Sequence, residues 1–250
     1  MNPDTAHNIV HQFPAGECVL QVYNTTITRN IKLELQTSRT LPALCAKIIK
    51  DSQWWNEDTF DTINWPAHYR ALQRHRKHRP TMIKYIHGLL PLGNRVHKYN
   101  EKYPPTCPSC GAPDEDIKHF WACPAASRLS WRRQFLRNLD LKLRELKIKQ
   151  TVRTLLVSKL RAVLDGQDPE RVPVGDQELD ISEAQKAIGW QQLLKGRFAV
   201  NWMLRPSRTT SRTTHPAPQA VWVPEIIDFI FQQWRLLWDL RNQDRHGRDT

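Results

Sequence analysis

Apolar residues recur three and four apart over most of this chain, the spacing that places them on one face of an α-helix. Ile31, Leu35, Leu41, Leu44, Ile48 and Ile49 follow it first, and Pro42 is expected to split them into two short helices by removing a backbone donor. NWPAHYRALQRHRKHRP opens with Pro66 just inside a helix start, where a missing N–H is tolerated. In TMIKYIHGLLPLG, Thr81 is the expected cap of a core-facing helix through Met82, Ile83, Ile86, Leu89 and Leu90 that stops at Pro91. Trp131, Phe135, Leu139, Leu143 and Leu146 make a longer stripe. Val152, Leu155, Leu156, Leu160, Val163 and Leu164 repeat it as far as Gly166. Ser182 is expected to cap a helix through Ala187, Trp190, Leu194, Phe198 and Trp202, and a final helix from near Pro224 aligns Ile226, Ile230, Trp234, Leu237, Trp238 and Arg241. Only CVLQVYNTTITRN breaks the period: Cys18, Leu20 and Val22 alternate as in a strand, with a corner at Asn24 and Thr25. The pattern predicts a mostly α protein, a helical assembly with a small N-terminal β element.

These elements imply an N-terminal β and helical lead-in at 1–50, a basic helical region at 51–165, an acidic loop at 166–181 and a helix at 182–204. A flexible linker at 205–219 and a C-terminal helix at 220–247 complete the chain; RPSRTTSRTTHPAPQ has no large apolar residue and three prolines. No internal repeat is visible.

Charge adds a partner to this picture. There are 37 Lys and Arg against 25 Asp and Glu, a formal net charge of +12, which favours RNA or DNA over a membrane surface or an acidic protein. RALQRHRKHR carries Arg70, Arg74, Arg76, Lys77 and Arg79 with no acid, and Tyr69 and Tyr85 lie near enough in sequence to assist in tracking a phosphate backbone. Residues 126–161 hold eleven Lys or Arg against Asp140 and Glu145, and Arg132 and Arg133 are the phosphate-binding candidates there. A solvated helix face, with long aliphatic stems covering the fold, is the competing reading of both segments. No run of about 18 apolar residues is present, so no membrane span is expected. MNPDTAHNIVHQFPAGECV lacks the basic head and apolar block of a secretory signal. The expected setting is intracellular, with the nucleus among the candidates, and a reducing compartment suits five cysteines of which three are clustered.

Those three lie in CPSCGAPDEDIKHFWACP, with the spacing Cys107-x2-Cys110-x8-His119-x3-Cys123. Three thiolates and an imidazole are one of the closed tetrahedral sets that zinc takes. A Cys-x2-Cys pair reaches one ion from a tight turn, helped here by Pro108 and Gly111, while His119 and Cys123 are four apart and share a helix face. Asp114, Glu115 and Asp116 are expected in that helix's first turn, where its dipole favours negative charge. A redox pair would sit among alternating strands and helices, which are absent from the pattern, and a catalytic zinc would keep a position open for water. The reading is a zinc knuckle at 107–124 that holds shape, with Cys107, Cys110, His119 and Cys123 as ligands.

The segment CPSCGAPDEDIKHFWACPAASRLSW resembles the zinc-binding segment near the C-terminus of non-LTR retrotransposon reverse transcriptases. Cys107, Cys110, Glu115, His119, Cys123 and Trp131 carry the resemblance. GLLPLGNRVHKYNEKYPPT is similar to the family's lead-in, and WRLLWDLRNQDRHG, with Trp234, Trp238, Arg241 and Asn242, to its terminal helix. In such elements the segment follows polymerase and often ribonuclease H-like domains. The resemblance thus implies a retroelement-derived module that binds nucleic acid or braces neighbouring domains of those kinds. The chain departs from a full element in lacking a Tyr-x-Asp-Asp polymerase signature.

No catalytic residue is assigned. Asp244 and His246 could suggest a metal-dependent nuclease, but no second motif completes the set. The leading expectation is a non-catalytic zinc-binding module that meets nucleic acid through basic helices. The alternative is a helical protein-interaction module that braces a neighbour without touching nucleic acid. The ten tryptophans read chiefly as core anchors, with the adjacent Trp54 and Trp55 the best candidates for base stacking.

Overall fold

The computed structural model describes residues 31–52, 54–203 and 222–247, with a two-residue antiparallel pairing of Gln21 with Thr26 and Val22 with Thr25. The strand expected through Cys18 and Leu20 lies outside the described residues, and the short pairing is too small to be a β element of the fold. The linker expected at 205–219 also lies outside them. What is described is mostly helical. No helix among the described residues is long and apolar enough to cross a membrane.

The chain divides into two units, Met1–Phe60 and Asp61–Thr250. In the first, α1 (Ile31–Ser52) runs unbroken through Pro42, not as the expected pair of short helices. Proline removes one bond from the ladder but need not end a long helix. Here residues 39–44 are all exposed, so Pro42 lies on a solvated stretch of the helix. A five-residue helix, α2 (Glu57–Asp61), follows, its start held by the Asn56 side chain accepting from the Thr59 N–H at 2.8 Å.

The second unit holds α3 (Trp65–Gln73), α4 (Arg79–Ile86), α5 (Gly93–His97), α6 (Ile117–Ala122), α7 (Ala126–Glu145), α8 (Gln150–Leu164), α9 (Leu179–Ile188) and α10 (Trp222–His246). The last of these is the central element. Helix α10 buries Val223, Ile226, Ile227, Ile230, Phe231, Trp234, Leu237 and Arg241, a face broad enough to take α3 and α7 as neighbours, while α8 packs on α7. At its middle Tyr85 stacks on Trp234 with ring centroids 4.3 Å apart and donates its hydroxyl to the Leu194 carbonyl at 2.9 Å. Most of the tryptophans of this unit are buried in its core, Trp121, Trp131, Trp190, Trp202, Trp222 and Trp234 among them.

Two helix starts differ from the sequence reading. Helix α4 begins at Arg79, with Pro80 in its first turn where the N–H would be idle, so Thr81 is internal. Helix α9 begins at Leu179, so Ser182 is also internal and buried. The helix expected to continue to Trp202 ends at Ile188, where Gly189 takes φ 102°, and short 3-10 turns (Trp190–Lys195 and Val200–Met203) replace it. The buried Gln185 side chain makes this possible. Its amide donates to the Gly189 and Arg197 carbonyls at 3.3 and 3.1 Å, and its oxygen accepts from the Ala199 N–H and Trp202 Nε1 at 3.0 and 2.9 Å. One amide thus satisfies polar groups that a continuous helix would have paired. Gly196, at φ 75°, lets this segment press against α10: a Cβ there would stand 2.7 Å from both Ile227 and Phe231.

Candidate metal centre

Cys107, Cys110, His119 and Cys123 come together with their four ligand atoms all within 4.8 Å of one another. The first pair is set by a turn. Cys107 N–H bonds the Ala112 carbonyl at 2.8 Å and Gly111 N–H the Cys107 carbonyl at 2.9 Å, with Gly111 at φ 75°, a backbone state glycine adopts without strain. The second pair is set by α6. His119 lies in it, and Cys123 is its C-terminal flanking residue.

Two of these separations match the edges of a small tetrahedral site. Cys107 and Cys123 sulfurs lie 3.7 Å apart and the Cys110 sulfur lies 3.3 Å from His119 Nε2. Zn–S and Zn–N bonds of about 2.3 and 2.0 Å would give tetrahedral edges of about 3.8 and 3.5 Å. The sulfur separation is far beyond the roughly 2.05 Å of a disulfide. Burial pushes the Cys123 thiol up to about 12, against a backbone N–H of Ala125 that lowers it; the nearby Cys107 and Cys110 push it further up. A cation is what would turn such a group into a thiolate at neutral pH. These four residues could hold a metal ion.

The acids of the turn are not where the sequence placed them. Helix α6 has no acid in its first turn; Asp116 precedes it as the N-cap, accepting from the His119 N–H at 2.7 Å. Asp114 accepts from the Asn94 side chain. Glu115 points the other way, into the protein, and is 1% exposed. Its oxygens accept from Arg241 Nε and a terminal nitrogen of the same guanidinium at 2.9 and 2.7 Å, and from the Gly93 N–H at 2.7 Å. Burial works against the Arg241 charge, but the hydrogen bonds and charge of Glu115 outweigh it and hold the guanidinium above its ordinary range. Arg245 lies 3.7 Å from the same carboxylate and donates to the Thr106 carbonyl, one residue before Cys107, at 2.9 Å.

A second anchor was not foreseen. Arg128 of α7, 2% exposed, donates to the Leu237 carbonyl at 3.0 Å, to Asp244 at 2.9 Å and to the hydroxyl of Ser109, between the first two cysteines, at 2.8 Å. Ser109 in turn donates to Asp244 at 2.6 Å. Desolvation lowers the pKa of Arg128, with Asp244 and the Cys107 and Cys123 thiols opposing it. The signal for such anchors was present in one place: Arg241 continues the apolar stripe Ile230, Trp234, Leu237 at helical spacing, and an arginine on a core face needs an acid. Asp244, weighed above as a nuclease group, is part of this brace.

The basic candidates divide. Arg74 pairs with Glu225 at 2.5 Å and Asp228 at 3.3 Å, and neighbouring His75 with Asp228 at 2.6 Å, docking α3 on α10. Arg132 is buried and donates to the Trp121 and Leu164 carbonyls at 3.2 and 3.1 Å, capping the C-terminal ends of α6 and α8. Arg70, Arg76, Lys77 and Arg133 are exposed, and Arg79 is half-buried. Trp54 is 52% exposed, and Trp55 is buried.

None of the known families, curated proteins or solved structures compared with this chain matches it.

Proposed function

We propose that this chain is a non-catalytic module built around structural zinc that binds RNA or DNA through basic helices, a relative of the zinc-binding segment of non-LTR retrotransposon reverse transcriptases. The observation that carries the reading is the Cys3His cluster and the way its turn is fastened. Four protein donors fill a tetrahedron, so zinc bound there would serve as a cross-link and leave no open position for a substrate. Buried arginines then tie the same turn to α7 and α10.

Nucleic-acid binding rests on charge and availability. Arg70, Arg76, Lys77 and Arg133 are exposed and make no ion pair among the described residues, in a chain of net charge +12. Unpaired surface cations are what counter-ion release on phosphate binding requires. Arg74 and Arg132 are better read as structural. Neighbouring polymerase or ribonuclease H-like domains belong to the same proposal through the family resemblance, and a nuclear location is the setting proposed with it.

The test joins both halves. Purified protein should carry about one equivalent of zinc by elemental analysis, as one four-ligand site requires. It should shift a labelled oligonucleotide, with affinity falling steeply as salt is raised. Binding should be lost on chelation and restored by zinc. A metal-free protein, or one that binds a protein partner tightly and no oligonucleotide, would favour the bracing alternative.

A further inference from the structure

Helices α7 and α8 leave a groove of about 500 Å³ between them, lined by Arg132, Arg133, Arg137, Arg161, Asp140 and Asp165 with apolar side chains on its walls. Four guanidiniums face two carboxylates, of which Asp140 is already committed. Asp140 gives its oxygens to Arg144 at 2.7 Å and Arg153 at 3.2 Å, and Asp165 stands 3.9 Å from Arg132 Nε. Arg133, Arg137 and Arg161 are exposed and have no acid within ion-pair distance among the described residues.

Two features separate this groove from an ordinary solvated face. Arg133 and Arg137 are four apart on one helix, an arrangement of like charges that works against the helix. And Arg132, only 6% exposed, keeps its Nε without a hydrogen-bond partner although it lines the groove. The nearest carboxylate oxygen to that Nε, on Asp165, is 3.9 Å away and too far for a hydrogen bond. Its other donors hold the Trp121 and Leu164 carbonyls, so the guanidinium is fixed in place.

We infer that the groove between α7 and α8 is the seat for the backbone phosphates of a nucleic-acid strand, gripped by Arg133, Arg137 and Arg161 over the fixed guanidinium of Arg132. The inference rests on the nucleic-acid reading above and locates it. No aromatic ring lines the groove, so bases have no stacking platform there. Recognition is therefore of phosphate and insensitive to sequence.

The experiment measures anisotropy of a labelled mixed-sequence oligonucleotide over a salt series. It compares the wild-type chain with Arg133→Gln/Arg137→Gln/Arg161→Gln and with Arg70→Gln/Arg76→Gln/Lys77→Gln. The groove variant should bind at least tenfold more weakly at low salt. Its slope of log affinity against log salt should be shallower by about 2 to 3, one lost contact per arginine. Asp165→Asn, which removes a negative charge from the groove, should tighten binding about twofold, a gain that misfolding cannot mimic. Bound metal must be unchanged in all variants. If the wild type binds no oligonucleotide, the function proposed above falls and this site with it. If the wild type binds but the groove variant matches it while the Arg70 set loses affinity, only the groove assignment is overturned. Displacement of the oligonucleotide by polyglutamate at equal charge concentration would also overturn it, in favour of an acidic protein partner.

Discussion

The arginines around the cysteine turn and those along the α7–α8 groove are the same residue put to opposite uses. Near the turn, Arg128 and Arg241 are almost wholly buried, and each spends its donors on a carboxylate and on backbone or hydroxyl oxygens. Along the groove, Arg133, Arg137 and Arg161 are exposed and have no acid within ion-pair distance among the described residues. Burying a guanidinium without a partner is prohibitive, so Arg128 and Arg241 each report an internal network built around them. An exposed arginine with no acid reports only that its charge is available. Net charge alone cannot tell the two apart, and in this chain a good part of it is internal mortar.

The largest effect is expected where that mortar meets the thiols. Cys110→Ser would leave three of the four candidate ligands, and structural zinc in finger peptides is worth on the order of 10–16 kcal/mol of apparent binding energy. Elemental analysis should fall well below one metal per chain, and the melting temperature should drop more than for any other single change. A variant that keeps both its metal and its melting temperature would remove the zinc reading altogether.

Next comes the buried pair. Glu115→Ala strands Arg241 in the interior, and breaking one side of a buried ion pair costs about 3–5 kcal/mol. At about 2–4 °C per kcal/mol for a domain of this size, a loss of about 10 °C is expected in thermal unfolding. Replacing both partners with apolar residues should recover much of it. A small effect from Glu115→Ala alone would mean that the arginine has another acceptor and that burial is a poor guide to role.

A third case concerns a buried base that, unlike arginine, can give up its charge. His68 is buried beside Phe231, with Nδ1 3.0 Å from the Gly196 carbonyl. Desolvation lowers its pKa from 6.5 to about 4; the Gly196 carbonyl pulls upward, and Arg197 and His87 add to the lowering. Its folded value lies below its unfolded one, so the unfolded chain binds more protons between them and stability falls as pH falls through that window. The contribution is complete above pH 6.5 and lost by about pH 4, roughly 3 kcal/mol at 1.36 kcal/mol per unit. The difference in unfolding free energy between wild type and His68→Gln should show this slope from pH 6.5 down to 4. A difference independent of pH would mean that His68 is already charged in the folded protein.

These cases show what the sequence could and could not disclose. The cluster that could hold a metal was legible because Cys107, Cys110, His119 and Cys123 are close in the chain and their spacing encodes a turn and a helix. The helices α7, α8 and α10 were legible from their apolar stripes. The partners of the charged residues were not. Glu115 meets Arg241 and Arg128 meets Asp244 across more than a hundred residues, and RALQRHRKHR, which holds no acid, finds Glu225 and Asp228 on α10. Pairing at that range is set by packing, which local pattern does not carry. Gln185 is a similar case: nothing local marks it as the residue that ends a helix and feeds four backbone and side-chain groups.

The smallest effect sharpens the contrast most, because it is drawn within one run of ten residues. Arg74 pairs with Glu225 and Asp228, and Arg76, two positions on, is exposed with no acid beside it. The Arg74 side chain is itself 44% exposed, so Arg74→Ala should cost only about 0.2–1 kcal/mol, as for other surface pairs. It should leave oligonucleotide affinity and its salt slope unchanged, since its charge is already met. Arg76→Ala should do the reverse, leaving stability untouched and flattening the slope by about 1, the loss of one phosphate contact. Denaturation and anisotropy on the two variants give four numbers. Should Arg74→Ala weaken binding as much as Arg76→Ala, internal pairing would not be what decides which arginines reach the ligand.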